Sequence, residues 1–412
     1  MSIGAGLRER TKGMFSAMEV PNYRLLFAGR VTSNAGRTLR VFARAIWVFE
    51  ATGSPLRMGI AVSALSWPML FMPLVGGIVA DRVNRKTLLV WTEGLLVILW
   101  AVVSLFITLG LFEWWYFIIT AVASGTIQSF GRAGLQAMIG TIVDDKRLGN
   151  AVALDSISLV WPRIAAPALG GVLVGPLGVG ALFWMTAAGQ LITFVTLLFI
   201  HWTPQEMKAA KDSVGNNVLE ALRHIRGETV IMSLVALGLL SALFAGSFNF
   251  LLPIFASEIL DAGNGGLGIL MTSAALGGAL GSIMVLAASN ARRHRGLLLI
   301  GMAVVKTAML IVFSQSTILP ISVVAMFGLG GSQVVFMTTV TMAMQQLAPD
   351  HLRGRIMSLR VVIMGFSPFG VIIMGFLAEA RGAADTVLIG GLLYGVSALV
   401  LFILVPTLRR FQ

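Results

Sequence analysis

The chain has 412 residues, of which 57% are hydrophobic and only 12% charged. A soluble domain carries roughly 25% charged residues, so an ordinary soluble enzyme is excluded. There is no cysteine, which removes disulfides and thiolate metal sites, and the basic start (Arg8, Arg10, Lys12) shows no apolar core with a cleavage site, against a cleaved signal peptide.

A bilayer crossing needs ~20 largely apolar residues. In chain order the sequence predicts twelve such helices, at Tyr23–Phe49, Leu56–Ala80, Thr87–Leu109, Trp114–Val143, Ala151–Val174 and Gly180–Ile200, then Thr229–Ser257, Gly266–Ser289, Gly296–Phe313, Ile318–Leu347, Ile356–Glu379 and Thr386–Pro406. The longest polar stretch, residues 201–228, reads as a cytoplasmic linker with an amphipathic helix over Val218–Arg226. It divides an N-terminal six-helix bundle (1–200) from a C-terminal one (229–412). The expected fold class is therefore an all-α membrane protein of twelve transmembrane helices in two pseudo-symmetric six-helix bundles.

The net charge of +12 would point to nucleic acid in a soluble protein, but its distribution points elsewhere. Basic residues gather at the N-terminus, in the even-numbered connections (Arg82, Arg85 and Lys86; Lys146 and Arg147; Arg292, Arg293 and Arg295; Arg353 and Arg355) and at Arg409 and Arg410, whereas the odd connections hold Arg57 and Arg381. Such asymmetry predicts an inner-membrane protein with both termini cytoplasmic and no nucleic-acid partner.

The halves echo each other. Asp144 to Asn150 and Asp350 to Arg355 are similar connections, and setting Gly149 against Gly354 sets Asp155 against Arg360. Halves related in this way commonly hold a substrate site between them near the midplane. The nearest approach to a phosphate-binding loop, Gly301 to Lys306-Thr307, lacks its second glycine and sits in an apolar helix. No nucleotide, other cofactor or metal is expected.

Ionisable residues within spans cost ~2.5–3.5 kcal/mol each on insertion scales, and so mark candidate sites. Helix one carries Arg30, Asn34, Arg37, Arg40 and Arg44 on one stripe, and helix four carries Gln128, Arg132 and Gln136 at i, i+4, i+8. Helix five carries Asp155 and Arg163, and helix eleven Arg360. Arg forks bind carboxylate or phosphate bidentately, so this excess of cations suggests an anionic substrate. Snorkelling or backbone pairing of Arg37 and Arg44 is the alternative. Asn249, Gln333, Thr338 and Phe248 are further cavity candidates from helices seven and ten. All four histidines fall at or in cytoplasmic connections, leaving Asp155 as the candidate for proton coupling, or else as half of a structural pair. Glu93 and Lys306, on helices three and nine, read as peripheral. Pro68, Pro73, Pro162, Pro167, Pro253 and Pro368, with the glycine pairs 170–171, 277–278 and 330–331, are expected to kink or bend spans.

Residues Gly76 to Lys86 resemble the G-x-x-x-D-R-x-G-R-[KR] signature of the major facilitator superfamily, through Gly77, Asp81, Arg82, Arg85 and Lys86, with Asn84 where Gly is usual. The resemblance implies a cytoplasmic gate at these five residues. Asn150 to Ser156, Leu352 to Ser358, Asn22 to Gly29 and the run Pro167-Ala168-Leu169-Gly170-Gly171 resemble the enterobactin-exporter and macrolide-efflux-like branch, and the last resembles an antiporter motif with Ala166 for its leading Gly. This implies a secondary-active, proton-coupled exporter of an amphipathic drug, siderophore or other anionic compound, monomeric, with membrane lipid, small-molecule substrate and protons as its partners. Import or flipping of an anionic lipid or metabolite, and a transport-inactive scaffold or receptor, stay open as alternatives.

Overall fold

The computed structural model of the chain describes residues 15–68, 72, 84–201, 229–288, 295–348, 356, 359 and 363–406; at 85, 132–137, 288 and 295 it describes the backbone alone. The predicted linker helix at Val218–Arg226 lies outside these residues. Every regular element among them is helical.

Helix α1 (Pro21–Thr52) starts on Pro21, which tolerates the first turn because that N–H has no helical partner. It stops at Gly53, whose φ of 60° suits a residue without a Cβ and lets its N–H reach Phe49 O at 2.8 Å. Ser54 then caps α2 (Pro55–Ser63), its hydroxyl accepting from Arg57 N at 3.2 Å. Helix α3 (Arg85–Thr108) is capped by Asn84, whose side chain accepts from Lys86 N and Thr87 N. Asn84 has φ −56°, so capping, and not left-handed backbone, explains an amide side chain at this place in the motif. Helix α4 spans Tyr116–Ile142.

Helix α5 (Asp145–Phe199) has 55 residues, about 80 Å at 1.5 Å per residue, far more than the ~30 Å of hydrocarbon. It serves as two spans, parted at Gly178, where φ is 73° and ψ 166°. Pro162 and Pro167 lie inside this helix without non-helical dihedrals, so the helix runs on through both. In the second half α6 (Thr229–Leu240) runs into a π-turn (Ser241–Ala245), a 3-10 stretch (Ser247–Leu251), the short α7 (Leu252–Ile254) and a second π-turn (Phe255–Ile259). Pro253 sits in this interrupted region, as its missing N–H requires. Helices α8 (Gly263–Ala288), α9 (Arg295–Gln315), α10 (Leu319–Leu347), α11 (Ser367–Arg381) and α12 (Ala383–Leu404) follow. Among the described residues eight helical segments are long and apolar enough to cross a bilayer, and α1 and α4 are as long but more polar or less hydropathic. With α5 counted twice and residues 55–80 only partly described, this is consistent with twelve spans.

The outer surface is apolar: Trp91 is 68% and Val172 72% exposed, as lipid-facing side chains must be. The two bundles meet closely where α5 and α8 cross. A Cβ on Gly171 would stand 2.8 Å from Asn264 O and 3.2 Å from the Gly268 Cα. Thr272 Oγ1 donates to Ile164 O across the same seam at 3.0 Å. The glycine pairs at 277–278 and 330–331 likewise bring α8 against α10, since side chains there would strike Phe327 and Ala274 carbonyls. These glycines serve close packing.

Candidate substrate and coupling sites

The α1 arginines divide by environment. Arg30 forks onto Asp155, Nε to Oδ1 at 2.7 Å and Nη2 to Oδ2 at 3.0 Å. Asn34 donates to Ser158 O at 3.0 Å and accepts from Arg37 Nη2 at 3.0 Å, which fixes its amide orientation. Arg40 lies over the Trp100 ring, 4.0 Å from its centroid, a placement that stabilises a desolvated guanidinium. Arg44 is buried, and its Nε has no hydrogen-bond partner among the described residues.

Asn34, Arg37, Arg40 and Gln128 thus converge on one small cavity of about 90 Å³ inside the first bundle, together with Arg30, Glu93 and Gln190. Gln190 Nε2 donates to Glu93 Oε2. Glu93 is therefore internal, contrary to its peripheral reading, because α3 turns this face toward α5 and away from lipid. Arg163 is exposed and lines neither of the two polar cavities described here. The partner of Asp155 is Arg30, the first cation of the α1 stripe. The side chains of Arg132 and Gln136, and all of Arg360, lie outside the described residues. So do Gly77, Asp81 and Arg82 and the side chain of Arg85. Lys86 is described, with Nζ 3.5 Å from Leu198 O.

A second cavity, about 600 Å³, lies mainly within the second half and takes Ser66 from the first. Its polar groups are Ser66, Asn249, Lys306, Gln333 and Ser367, set in a wall that includes Phe248, Met326 and Leu329. Thr338 is not among the lining residues. Lys306 is 1% exposed, donates to Ser241 Oγ at 2.8 Å and to Gln333 Oε1, and lies 5.0 Å from the Tyr394 ring centroid. It is internal as well. The register that sets Gly149 against Gly354 also sets Gln128 against Gln333, so each cavity holds the matching amide of its own half.

Among the described residues the chain is all-helical, with spans of bilayer length, glycine-packed seams and an amphipathic cavity, the architecture of a membrane transporter, and its family match makes it one of the major facilitator superfamily. The sequence pattern of the transmembrane secretion effector family matches residues 12–410, and the chain belongs to that family. It is 24% identical over 395 residues to the enterobactin exporter EntS of Citrobacter koseri, covering 95% of this chain and 94% of that one. It is 24% identical over 406 residues to the multidrug efflux pump Tap of Mycolicibacterium fortuitum, covering 94% and 96%. Among solved structures, the nucleoside transporter NupG superposes with a TM-score of 0.73 at 15% identity, covering 95% of this chain and all (100%) of that one. The D-xylose–proton symporter superposes at 0.69 with 12% identity, covering 93% and 97%. These two share the fold.

Proposed function

We propose that this transporter is a secondary-active, proton-coupled exporter of an amphipathic small molecule, working by alternating access in the inner membrane with both termini cytoplasmic. The observation that carries this reading is the 600 Å³ cavity, whose size and largely apolar wall with a few polar groups suit a drug-sized ligand. The two exporters among the relatives support the direction. Residues 1–200 and 229–412 are taken as the two moving bundles, joined by 201–228. Coupling is assigned to Asp155, the carboxylate that Arg30 holds with a two-pronged contact between α1 and α5.

Two measurements test this. Accumulation of a fluorescent amphipathic drug in cells expressing the protein should rise on adding a proton uncoupler; unchanged accumulation would count against export. In proteoliposomes, Asp155→Asn should abolish uptake driven by an imposed pH gradient while leaving substrate exchange without a gradient. Retained gradient dependence would dismiss Asp155 as the coupling group.

A second reading, flipping of an anionic lipid, draws on a separate apolar groove of about 450 Å³ between α5, α8 and α10, lined by residues such as Ile269 and Phe327. A lipid-scrambling assay in proteoliposomes separates it from drug export.

A further inference from the structure

Lys306 and Gln333 define the chemistry of the larger cavity beyond its size. An ammonium has three donors and no acceptor, so the atom of Gln333 that faces Lys306 is the amide oxygen. Ser241, which accepts from Lys306 at 2.8 Å, also points its hydroxyl toward that oxygen, 3.5 Å away. With Oε1 held from behind, Nε2 must point elsewhere. The side chain is half-buried at the cavity wall and Nε2 donates to no described residue, which leaves this amide nitrogen as the donor Gln333 can offer the cavity.

The charge behind this amide is uncompensated. The ammonium is fully enclosed, its partners are a hydroxyl, an amide oxygen and the face of Tyr394, and no carboxylate pairs with it among the described residues. Burying a cation in that way is costly unless an anion reaches its field. Lys306 is also the one charged residue among the described residues lining the cavity.

We propose that this cavity selects amphiphiles bearing a single anionic group. The anionic head accepts from the Gln333 amide, the Lys306 ammonium behind that amide supplies the attraction, and the apolar body rests on Phe248 and Met326. Lys306 acts here as a positioning residue, through Gln333. The proposal rests on the reading of this cavity as the substrate site, and it names the substrate class that site takes. Cations are repelled by the same field, and among the described lining residues a second anionic charge finds no second cation.

The probes are 8-anilino-1-naphthalenesulfonate, a monoanion, and N-phenyl-1-naphthylamine, its uncharged counterpart. Equilibrium dialysis of protein-loaded against empty lipid nanodiscs subtracts their partition into lipid. The wild-type protein should bind the sulfonate about tenfold or more tightly than the amine, the scale expected of hydrogen bonds to a charged group. Lys306→Met and Gln333→Leu should each weaken the sulfonate about tenfold and leave the amine within about twofold. Gln333→Glu, which pairs with Lys306 and turns no donor to the cavity, should do the same. A purely structural Lys306 would lower both affinities together. Equal wild-type affinities, no saturable binding of the sulfonate, or a sulfonate-to-amine ratio unmoved by Lys306→Met overturns the proposal. The wild-type comparison decides the matter even where a variant does not fold. Because binding is read without gradient or direction, the export reading can stand or fall separately in the uncoupler assay.

Discussion

Ser54 Oγ donates to Glu379 Oε2 at 2.8 Å, joining the α1–α2 connection to the end of α11, and Leu56 N donates to the same oxygen at 3.2 Å. One carboxylate therefore sits at the N-terminus of α2, where the free N–H groups and helix dipole favour negative charge. A Cβ on Gly59 would stand 3.1 Å from Val371 O, and Trp67 meets Phe369 edge-on at 5.1 Å, so this contact belongs to a wider seam between the bundles. Alternating access requires such a seam to open and close.

Glu379→Ala should favour the conformation in which this seam is open. Glu379 is exposed, which reduces the worth of its bonds to about 1 kcal/mol, or about fivefold in the conformational equilibrium. The chain has no cysteine, so a Val371→Cys reporter is free of background. Maleimide labelling of that reporter should quicken about threefold to fivefold in the Glu379→Ala background.

The Arg30–Asp155 pair is only 21% and 19% exposed, so removing one member strands a partly buried charge. Asp155→Leu alone should cost about 2 kcal/mol or more, and the double change Arg30→Met with Asp155→Leu should cost less than that. Melting of the purified protein in detergent should rank wild type first, the double variant next and Asp155→Leu last.

Gly171→Val should block closure between α5 and α8, because its side chain would press on Asn264 and Gly268 backbone. Transport should fall at least about tenfold with membrane insertion intact. Gly175, one turn along, has nothing within 4 Å of a Cβ, so Gly175→Ala should transport normally. Rates in proteoliposomes check both.

Arg147 Nη2 meets Glu19 Oε2 at 2.9 Å, yet the side chains are 36% and 62% exposed. Solvent screening makes such a bridge worth little, so Glu19→Gln should change stability by less than about 0.5 kcal/mol. A melting temperature indistinguishable from wild type is the expected result.

Helix type and much of the approximate placement of the spans were legible from apolar length alone. In lipid each backbone N–H must bond within its own segment, so an apolar run of that length has one outcome. The similar Gly149 and Gly354 connections expose the repeat in the sequence, and the α1 stripe sets Asn34, Arg37 and Arg40 on one face, where they line a small cavity inside the first bundle and not one between the halves. At Pro162 and Pro167 α5 keeps helical dihedrals, so neither proline ends the helix. Neighbouring helices can satisfy the carbonyls that a proline leaves free in a bundle.

Lys306 and Glu93 show where sequence reading stops. In water, the hydrophobic face of a helix marks its buried side. In a bilayer both faces are apolar: Val304 is 61% exposed and Leu310 fully buried, and hydropathy does not tell them apart. Lys306 falls on the buried row of Leu299, Ala303, Leu310 and Phe313, which the surrounding apolar residues conceal. The amino-acid sequence by itself determined a helical, basic-looped membrane transporter with charges in its spans. The tertiary structure alone decided which charges meet: Asp155 with Arg30, Glu93 with Gln190, and Lys306 with Gln333. Apolar length is a local property and can be counted along the chain, whereas pairing depends on how each helix is rotated about its axis, and that is set by packing against neighbours.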